Sequence, residues 1–443
     1  MMPQLLRNAV ILWSLALPAM AVPVTDFSLE NGLQVVVIED HRAPVVTHMV
    51  WYKTGGADEI AGQSGIAHFF EHLMFKGTDT MAPGEFSAIV AASGGSDNAF
   101  TSHDYTGYFQ RVASEQLGEM MRLEADRMVN LNLSQENVDT ERDVVLEERG
   151  QVIDSDPAAL LFEQMAAAQY LNHPYGKPVI GWRHEIEQLT RTAALDFYAR
   201  HYAPNNAILV VAGDVNPADV RALAQQYYGP LLPSKTLPAR MRPQEPPQLS
   251  ERRLRLADDR VAQPFVNRSY IAPERNQGDQ KQAAALTILA EILGGSGANS
   301  VLARALQFDS DIALETYAYY HGTSVDPSVF GIGVVPNEGV SLQKAEDAMD
   351  KAIAAFLKDG VDEALLKRIK AQIRAAEIYA RDGVSNLADM YGEALAIGLR
   401  VQDVQEWPKL LENVTSAEIM AAARAVLQRK NAVTGWLESG EAQ

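Results

Sequence analysis

The sequence predicts an α+β protein made of two related halves, each a mixed sheet packed with helices, joined by a proline-rich linker. A chain of 443 residues exceeds what one hydrophobic core usually organises. Residues 231–252 hold five prolines among scattered charges, which favours an extended linker because proline fixes φ and removes a backbone donor. The same order of patterns recurs on each side of it: two strands, an apolar helix, further strands and helical runs. We therefore expect domains at 22–230 and 253–443.

Strand patterns begin each half, at residues 33–38 and 45–52 and again at 253–257 and 265–271. An ungapped comparison that sets Val266 on Val46 also sets residues 288–292 on residues 68–72. The later segment keeps the apolar character of a helix but has isoleucine where the earlier one has histidine. These matches predict a duplicated unit whose second copy cannot hold a metal.

His68, Glu71 and His72 lie in an apolar stretch, residues 65–75, that contains no proline and no internal glycine. The stretch predicts a buried helix on which residues three and four apart share a face. Two imidazoles at i and i+4 can bind one zinc ion, and the carboxylate between them can handle the proton of a water at the metal. This order, H-x-x-E-H, is a signature of zinc peptidases. The alternative is a core helix with two buried histidines, because five-residue patterns also arise by chance.

A second acidic helix should supply the third protein ligand, since catalytic zinc keeps its fourth position for water. Residues 134–149 begin with Ser134 and acidic residues, as helix starts do. Glu141 and Glu148 are two turns apart and share a face, whereas Glu147 points elsewhere. On the pattern alone, a solvated acidic face is the simpler explanation.

The segments 68–72 and 141–148 together resemble the pitrilysin-type (M16) metallopeptidases. In that family the third ligand is the last glutamate of an E-R-x-x-x-x-x-E stretch, and its usual separation from the second histidine is the separation between Glu148 and His72 here. Other segments extend the similarity over nearly the whole chain: residues 94–101, 173–176, 202–206 and 210–215.

The resemblance implies a zinc ion bound by His68, His72 and Glu148, with Glu71 as the catalytic base. Glu141 corresponds to a family carboxylate that supports the site without binding the metal. Segment 98–101 is similar to the family's edge strand, which pairs with an extended substrate backbone. The substrate contacts implied by that similarity are Asn98, Ala99 and Phe100. The alternative for this segment is an ordinary strand of the first sheet.

One departure from the family concerns its zinc-free half, which usually carries an arginine and a tyrosine, seven residues apart, that reach the substrate. Residues 300–306 align with that region, but Gln307 and Leu314 stand at the two positions. Small members of the family pair two chains into one clamshell, so the resemblance implies a heterodimer with a homologue that carries the pair. The alternative is that a nearby tyrosine takes the role after a shift in register: Tyr317, Tyr319 or Tyr320.

Residues 1–21 have the pattern of a secretory signal peptide, with Arg7, an apolar run at 9–17 and a small-x-small site at 19–21. No apolar run in the chain reaches the roughly 18 residues of a membrane span. We expect a mature soluble chain beginning near Val22 in a bacterial periplasm; an unprocessed N-terminal anchor is the alternative. Because the chain has no cysteine, its zinc site must use nitrogen and oxygen ligands.

The net charge of −19, with no basic stripe, argues against nucleic-acid binding. The leading hypothesis is a zinc endopeptidase that hydrolyses unfolded peptides inside a chamber between two subunits. Two other functions stay open. One is a scaffold subunit that keeps the fold without activity, and the other is a protease dedicated to processing one peptide.

Overall fold

The computed structural model describes residues 23–295, 297–380 and 383–440, so the expected signal at 1–21 lies outside the described residues. The strands of the first half are β1 (Val24–Ser28), β2 (Gln34–Glu39), β3 (Val45–Tyr52), β4 (Ser96–Thr101), β5 (Thr106–Ala113) and β6 (Ala207–Gly213). Its helices are α1 (Ile66–Leu73), α2 (Glu85–Ala92), α3 (Leu117–Val129), α4 (Gln135–Arg149), α5 (Pro157–Gln169), α6 (Arg183–Ile186), α7 (Arg191–His201) and α8 (Pro217–Tyr227).

The second half repeats this alternation. Its strands are β7 (Arg252–Asp258), β8 (Phe265–Ala272), β9 (Ala313–Tyr320), β10 (Ser328–Pro336) and β11 (Ala432–Ser439). Its helices are α9 (Lys281–Gly294), α10 (Leu342–Asp359), α11 (Glu363–Ala380), α12 (Val384–Ala396), α13 (Val401–Asn413) and α14 (Ser416–Val426). None of the helices in these ranges is long and apolar enough to cross a bilayer.

The two sheets have the same strand order, which confirms the predicted duplication. The first sheet runs β1-β2-β6-β3-β5-β4 and the second runs β7-β11-β8-β10-β9, so the second lacks only the counterpart of β1. In each sheet one pair is parallel, β2 with β6 and β7 with β11, and the other pairs are antiparallel. The predicted ungapped comparison sets β8 on β3 at both ends. The α+β class with two mixed sheets is therefore correct.

The halves exchange one helix each. Helix α12 of the second half packs on β3 and β6, where Tyr391 and Leu395 join a core with Trp51 and Val210. Helix α5 of the first half packs in the same way on β7 and β11, where Met165 contributes to a smaller core. Because each sheet is covered on one face by a helix from the other half, the two halves share apolar cores.

The segment between the halves forms no helix or strand over residues 231–251. It is held in place by Arg242, which is 5% exposed and binds three carboxylates. Asp58 and Asp104 belong to the first half and Asp326 to the second. A guanidinium at this junction ties the linker to both halves, because its planar fork can serve several carboxylates at once.

Candidate metal centre

Helix α1 presents its histidines on the face opposite its apolar contacts. Its apolar side chains are buried in the core of the first half: Ile66, Phe69, Phe70 and Leu73. His68 and His72 lie one turn apart on the other face, with ring centroids separated by 4.8 Å. Both imidazoles are half-buried. The predicted helix and its shared face are therefore correct.

Two features fix the start of α1: the close approach of another backbone segment to Gly65, and hydrogen bonds to the Glu59 carboxylate. Gly65 has a φ of 88°, and a Cβ there would lie 2.4 Å from the Ile180 carbonyl oxygen, so only glycine fits. The Glu59 carboxylate accepts hydrogen bonds from the backbone N–H groups of Gly65 and Ala67 at 3.1 and 3.0 Å. A carboxylate at this end of a helix also interacts favourably with the helix dipole. Burial nevertheless raises the pKa of Glu59 to about 8.

Helix α4 brings Glu148 against both histidines. Its Oε2 atom lies 3.6 Å from Nε2 of His68 and 3.3 Å from Nε2 of His72. One ligand atom from each of the three residues lies within 4.8 Å of the other two. Two atoms that share a tetrahedral zinc ion at about 2.0–2.2 Å are separated by about 3.4 Å. The spacing of these three side chains therefore fits one zinc ion.

A buried oxygen gives an independent test of this fit. Within the described ranges, Oε2 of Glu148 is buried and has no hydrogen-bond donor. A buried carboxylate oxygen without a partner is costly, and a cation between it and the two imidazoles would satisfy it. The Glu148 side chain as a whole is 38% exposed, so this side of the centre is open to solvent. An open position beside three ligands is the arrangement of catalytic zinc sites.

The environment sets the protonation of the two histidines differently. Burial, with a smaller effect from the neighbouring His72, lowers the pKa of His68 to about 4. For His72, burial alone would lower the pKa, but the Glu141 hydrogen bond and nearby carboxylates raise it above its usual value. A neutral imidazole is the form that binds metal. His68 is therefore neutral and ready to bind at neutral pH, whereas a proton competes more strongly with the metal at His72.

Glu141 orients His72 from behind. Its Oε1 atom lies 2.9 Å from Nδ1 of His72, and its other oxygen pairs with the Lys76 ammonium. Although burial opposes it, the hydrogen bonds from His72 and Lys76 lower the pKa of Glu141. A carboxylate on Nδ1 fixes the tautomer that leaves Nε2 free for a metal. The structure thus places Glu141 beside the centre and away from the three ligand atoms.

Glu71 lies on the same face of α1 and is held from the edge strand β4. The Thr101 hydroxyl donates a hydrogen bond of 2.6 Å to Oε2 of Glu71. The carboxylate is 9% exposed, and its burial raises the pKa of Glu71, an effect that the Thr101 hydrogen bond reduces. A raised pKa makes the carboxylate a stronger base, which favours proton transfer from a water molecule.

The predicted substrate contacts lie on β4, which is an edge strand as expected. Successive side chains of β4 point to opposite faces of the sheet. Ala99 packs against the core that contains α1, whereas Phe100 packs edge-on against Trp51 at 4.8 Å on the opposite face. Asn98 is exposed, and its side-chain oxygen accepts a hydrogen bond from the next backbone N–H at 2.9 Å. Their shared feature is therefore the free backbone edge of β4 rather than one common side-chain pocket.

The residues that depart from the family pattern lie in the second half. Gln307 donates a hydrogen bond to the Thr316 hydroxyl at 3.2 Å, and Leu314 is 62% exposed. Three tyrosines follow on β9: Tyr317, Tyr319 and Tyr320. The rings of Tyr317 and Tyr319 stack with their centroids 6.3 Å apart, over glycines of β10. The Tyr320 hydroxyl donates a hydrogen bond of 2.5 Å to the Pro273 carbonyl.

Three residues that support the centre were not predicted from the sequence: Glu59, Lys76 and Thr101. Glu59 lies in a loop seven residues before the helix, where no capping pattern applies. Lys76 falls one helical turn after His72, a spacing that could have indicated a pairing with a carboxylate on the same side. For Thr101 the sequence carries no signal, because its partner depends on how β4 lies against α1.

Two family models match the chain. The model described as insulinase (peptidase family M16) matches residues 34–182, and the model described as the peptidase M16 inactive domain matches residues 188–373. The first match contains the whole candidate centre. The second begins before the linker and covers most of the second half.

Among curated proteins, zinc protease PqqE of Helicobacter pylori is 32% identical over 93% of this chain and 92% of its own length. The mitochondrial-processing peptidase subunit beta of Neurospora crassa is 24% identical over 89% of this chain and 83% of its own. The crystal structure of a protease from Helicobacter pylori matches with a TM-score of 0.88 and 28% identity, covering 94% of this chain and all of that one.

The periplasmic protease PqqL of Escherichia coli shares the fold at 18% identity and a TM-score of 0.81. This chain covers only 48% of the PqqL chain, whereas it covers 92% of a structure of the first half of PqqL. In PqqL this fold therefore forms about half of a longer chain. Together, the family models and the full-length similarity to a zinc protease show that this chain belongs to the M16 family of peptidases.

Proposed function

We propose that the chain is a zinc-dependent endopeptidase that hydrolyses unfolded peptides, with zinc held by His68, His72 and Glu148. The observation that carries the proposal is the buried Oε2 of Glu148, which has no hydrogen-bond donor in the described residues and faces Nε2 of both imidazoles. Zinc, when bound, supplies Lewis-acid chemistry that polarises the scissile carbonyl and lowers the pKa of water. The other steps belong to side chains of the protein.

Glu71 is the proton-transfer group in this proposal. It takes a proton from the attacking water and returns it to the nitrogen of the leaving amine. Its position supports the role, because it shares the face of α1 with both histidines while its Oε2 is held by Thr101. Burial also raises its pKa, which makes its carboxylate a stronger base. Glu141 keeps the His72 ring in the orientation that directs Nε2 toward the centre.

The substrate would bind as an added strand on β4. Main-chain hydrogen bonds to Asn98, Ala99 and Phe100 would hold an extended peptide with its backbone alongside the centre. Two features of β4 support this binding mode. The side chain of Thr101 points toward Glu71, and the outer backbone edge of β4 has no neighbouring strand in the described sheet. Most of the backbone of a folded protein is already paired within its own helices and sheets, so unfolded peptides are the expected substrates.

We further propose that the active chamber is a clamshell completed by a homologous subunit. Gln307 and Leu314 occupy the positions where the family usually has its arginine and tyrosine, and Gln307 is engaged by Thr316 within its own half. A partner that carries the pair would supply the missing contacts, forming a heterodimer. PqqL, of which this chain covers 48%, is long enough to hold a second unit of this size, which is consistent with such an assembly. This proposal treats the chain as two domains, residues 22–230 and 253–443, on either side of a linker at residues 231–252.

The proposed location is the periplasm. The proposal rests on the signal-like residues 1–21, and it agrees with the periplasmic location named for PqqL.

Two other functions are alternatives to a general peptidase. A scaffold subunit would show neither zinc nor hydrolysis, and a dedicated processor would release one product from a mixed peptide library where a general peptidase releases many.

Substitution of Glu71 tests the division of roles. Glu71→Gln should keep zinc at the wild-type level and abolish hydrolysis of a quenched fluorescent peptide, whereas His68→Ala should lose the metal. Metal analysis and the peptide assay are made on the same samples. Loss of zinc from Glu71→Gln would contradict the assignment of Glu71 as the proton-transfer group, and full turnover by Glu71→Gln would contradict it equally.

A further inference from the structure

A cavity of about 580 Å³ lies under the linker and is separate from the metal centre. We call it the linker cavity; it is lined by residues 237–243 of the linker and by side chains of the first half, among them Lys53, Glu59, Lys177 and His201. Its volume falls in the range of small-molecule sites, about 300–1,000 Å³. None of the three proposed zinc ligands lines it.

The lining of the linker cavity is richer in cationic side chains than the chain as a whole. Its lining holds four cationic side chains, two of them from the linker, against two acidic ones. The whole chain carries a net charge of −19. The two arginines are already paired, Arg242 with Asp58, Asp104 and Asp326 and Arg240 with Asp58. Among the described residues, the lysines of the lining are the cations that remain without an ion pair, and such cations attract anions.

The acidic groups present are already engaged. Asp58 accepts hydrogen bonds from Arg242 at 3.0 and 3.1 Å and from Arg240 at 3.2 Å. Glu59 accepts the two backbone N–H groups at the start of α1. Asp58 is therefore occupied by the arginines, whereas Glu59 feels the positive charge of Lys177 without forming an ion pair with it.

The two lysines form no ion pair. Over the described parts of the chain, neither lysine has a carboxylate within ion-pair distance, although the charge of Lys177 acts on Glu59 and Glu185 from further away. Lys53 is half-buried, and burial together with the nearby Arg240 lowers its pKa. The Nε of Arg240 is also buried without an acceptor. A partly desolvated ammonium and a buried N–H group without an acceptor are unfavourable, and one anion would satisfy Lys53 and the Nε of Arg240 together.

We propose that the linker cavity binds a small organic oxyanion, a carboxylate or a phosphate ester, through Lys53, Lys177 and Arg240. The anionic group lies between the lysines of the first half and the arginine of the linker, so its binding fastens residues 237–243 to that half. The cavity exceeds the volume of a bare phosphate, and Tyr170, Leu237 and Met241 offer apolar surface to the remainder of the molecule.

Isothermal titration calorimetry with inorganic phosphate and with succinate, at constant ionic strength, tests the proposal and separates the two sources of the anion. Wild-type protein should bind at least one probe saturably. Lys53→Met should weaken that binding by about tenfold or more, because one charge-assisted hydrogen bond is lost. Lys53→Arg should retain it. Lys235→Met is the matched control, since Lys235 is an exposed linker lysine outside the cavity lining and should bind as the wild type does.

Lys177→Met provides a second variant in case the half-buried Lys53 is needed for folding, and it should weaken binding in the same direction. Binding of phosphate alone identifies a phosphate ligand, and binding of succinate alone identifies a carboxylate. Absence of saturable binding by either probe overturns the proposal. Unchanged affinity in Lys53→Met and Lys177→Met overturns it too, because the anion would then sit elsewhere, for example at the metal.

Discussion

The Thr101 hydroxyl donates a 2.6 Å hydrogen bond to the Glu71 carboxylate. This contact joins the edge strand β4 to the helix that carries both histidines. A peptide that pairs with β4 would therefore lie on the same strand that positions the proposed proton-transfer group. Substrate binding and proton transfer would share one rigid connection.

Removing that hydroxyl should impair turnover more than substrate binding. Thr101→Val keeps the shape of the side chain and loses a hydrogen bond to a carboxylate, so kcat should fall about tenfold to a hundredfold. KM should stay near the wild-type value, because the backbone edge of β4 is unchanged. Thr101→Ser restores the hydroxyl and should restore most of kcat. Steady-state kinetics with metal analysis checks this, and an equal loss in Thr101→Ser would contradict it.

Glu141 should matter for zinc affinity. Glu141→Gln removes the carboxylate that fixes the His72 tautomer, and such changes weaken metal binding by about 10- to 100-fold. Glu147→Gln is the matched control on the same helix, since its carboxylate accepts a hydrogen bond from Gln151 at 3.0 Å instead. Competition with a zinc chelator gives both affinities. Equal affinities in the two variants would show that Glu141 does not orient His72.

Glu59 should make stability depend on pH. Its pKa is raised from 4.5 to about 8 in the folded protein, so the folded state binds a proton that the unfolded state releases. This contribution is complete below about pH 4.5 and disappears as the pH rises through about 8. Glu59→Gln is neutral throughout, so the wild type should lose more stability than this variant between those limits. Denaturant midpoints at several pH values test this; a constant difference between the two proteins would contradict it.

Zinc should stabilise the folded chain through the proposed ligands. A ligand that binds only the folded state adds about 2.7 kcal/mol to the free energy of unfolding at about 100 times its Kd. A chelator should therefore lower the Tm of the wild type and leave His68→Ala unchanged. Differential scanning calorimetry with and without the chelator measures the effect. An equal response of both proteins would place the stabilising metal elsewhere.

The local elements were predictable because they depend on short patterns. The bounds of β3 and the helix that begins after Ser134 agree with the sequence analysis, since strand alternation and a capping residue act within a few residues. The ungapped comparison that sets β8 on β3 does not set β11 on β6, because these two strands begin at 432 and 207. Insertions between the later elements break such a comparison.

The exchange of α5 and α12 between halves was not predictable. The apolar residues of α12 show that one face is buried, but no pattern states which sheet covers it. Gly392 on α12 fits against Trp51 of the other half because a Cβ there would meet the indole, and only the packed structure displays this. For the same reason the role of Thr101 could not be predicted, because its partner Glu71 lies on a different element.

The most direct test of the account combines zinc analysis with hydrolysis of a quenched fluorescent peptide, on the purified chain alone and mixed with its closest homologue from the same organism. We predict about one zinc ion per chain, held by His68, His72 and Glu148, with strong hydrolysis only in the mixture. Full hydrolysis by the chain alone would contradict the need for a partner. Absence of both zinc and hydrolysis would contradict the assignment of the metal centre itself.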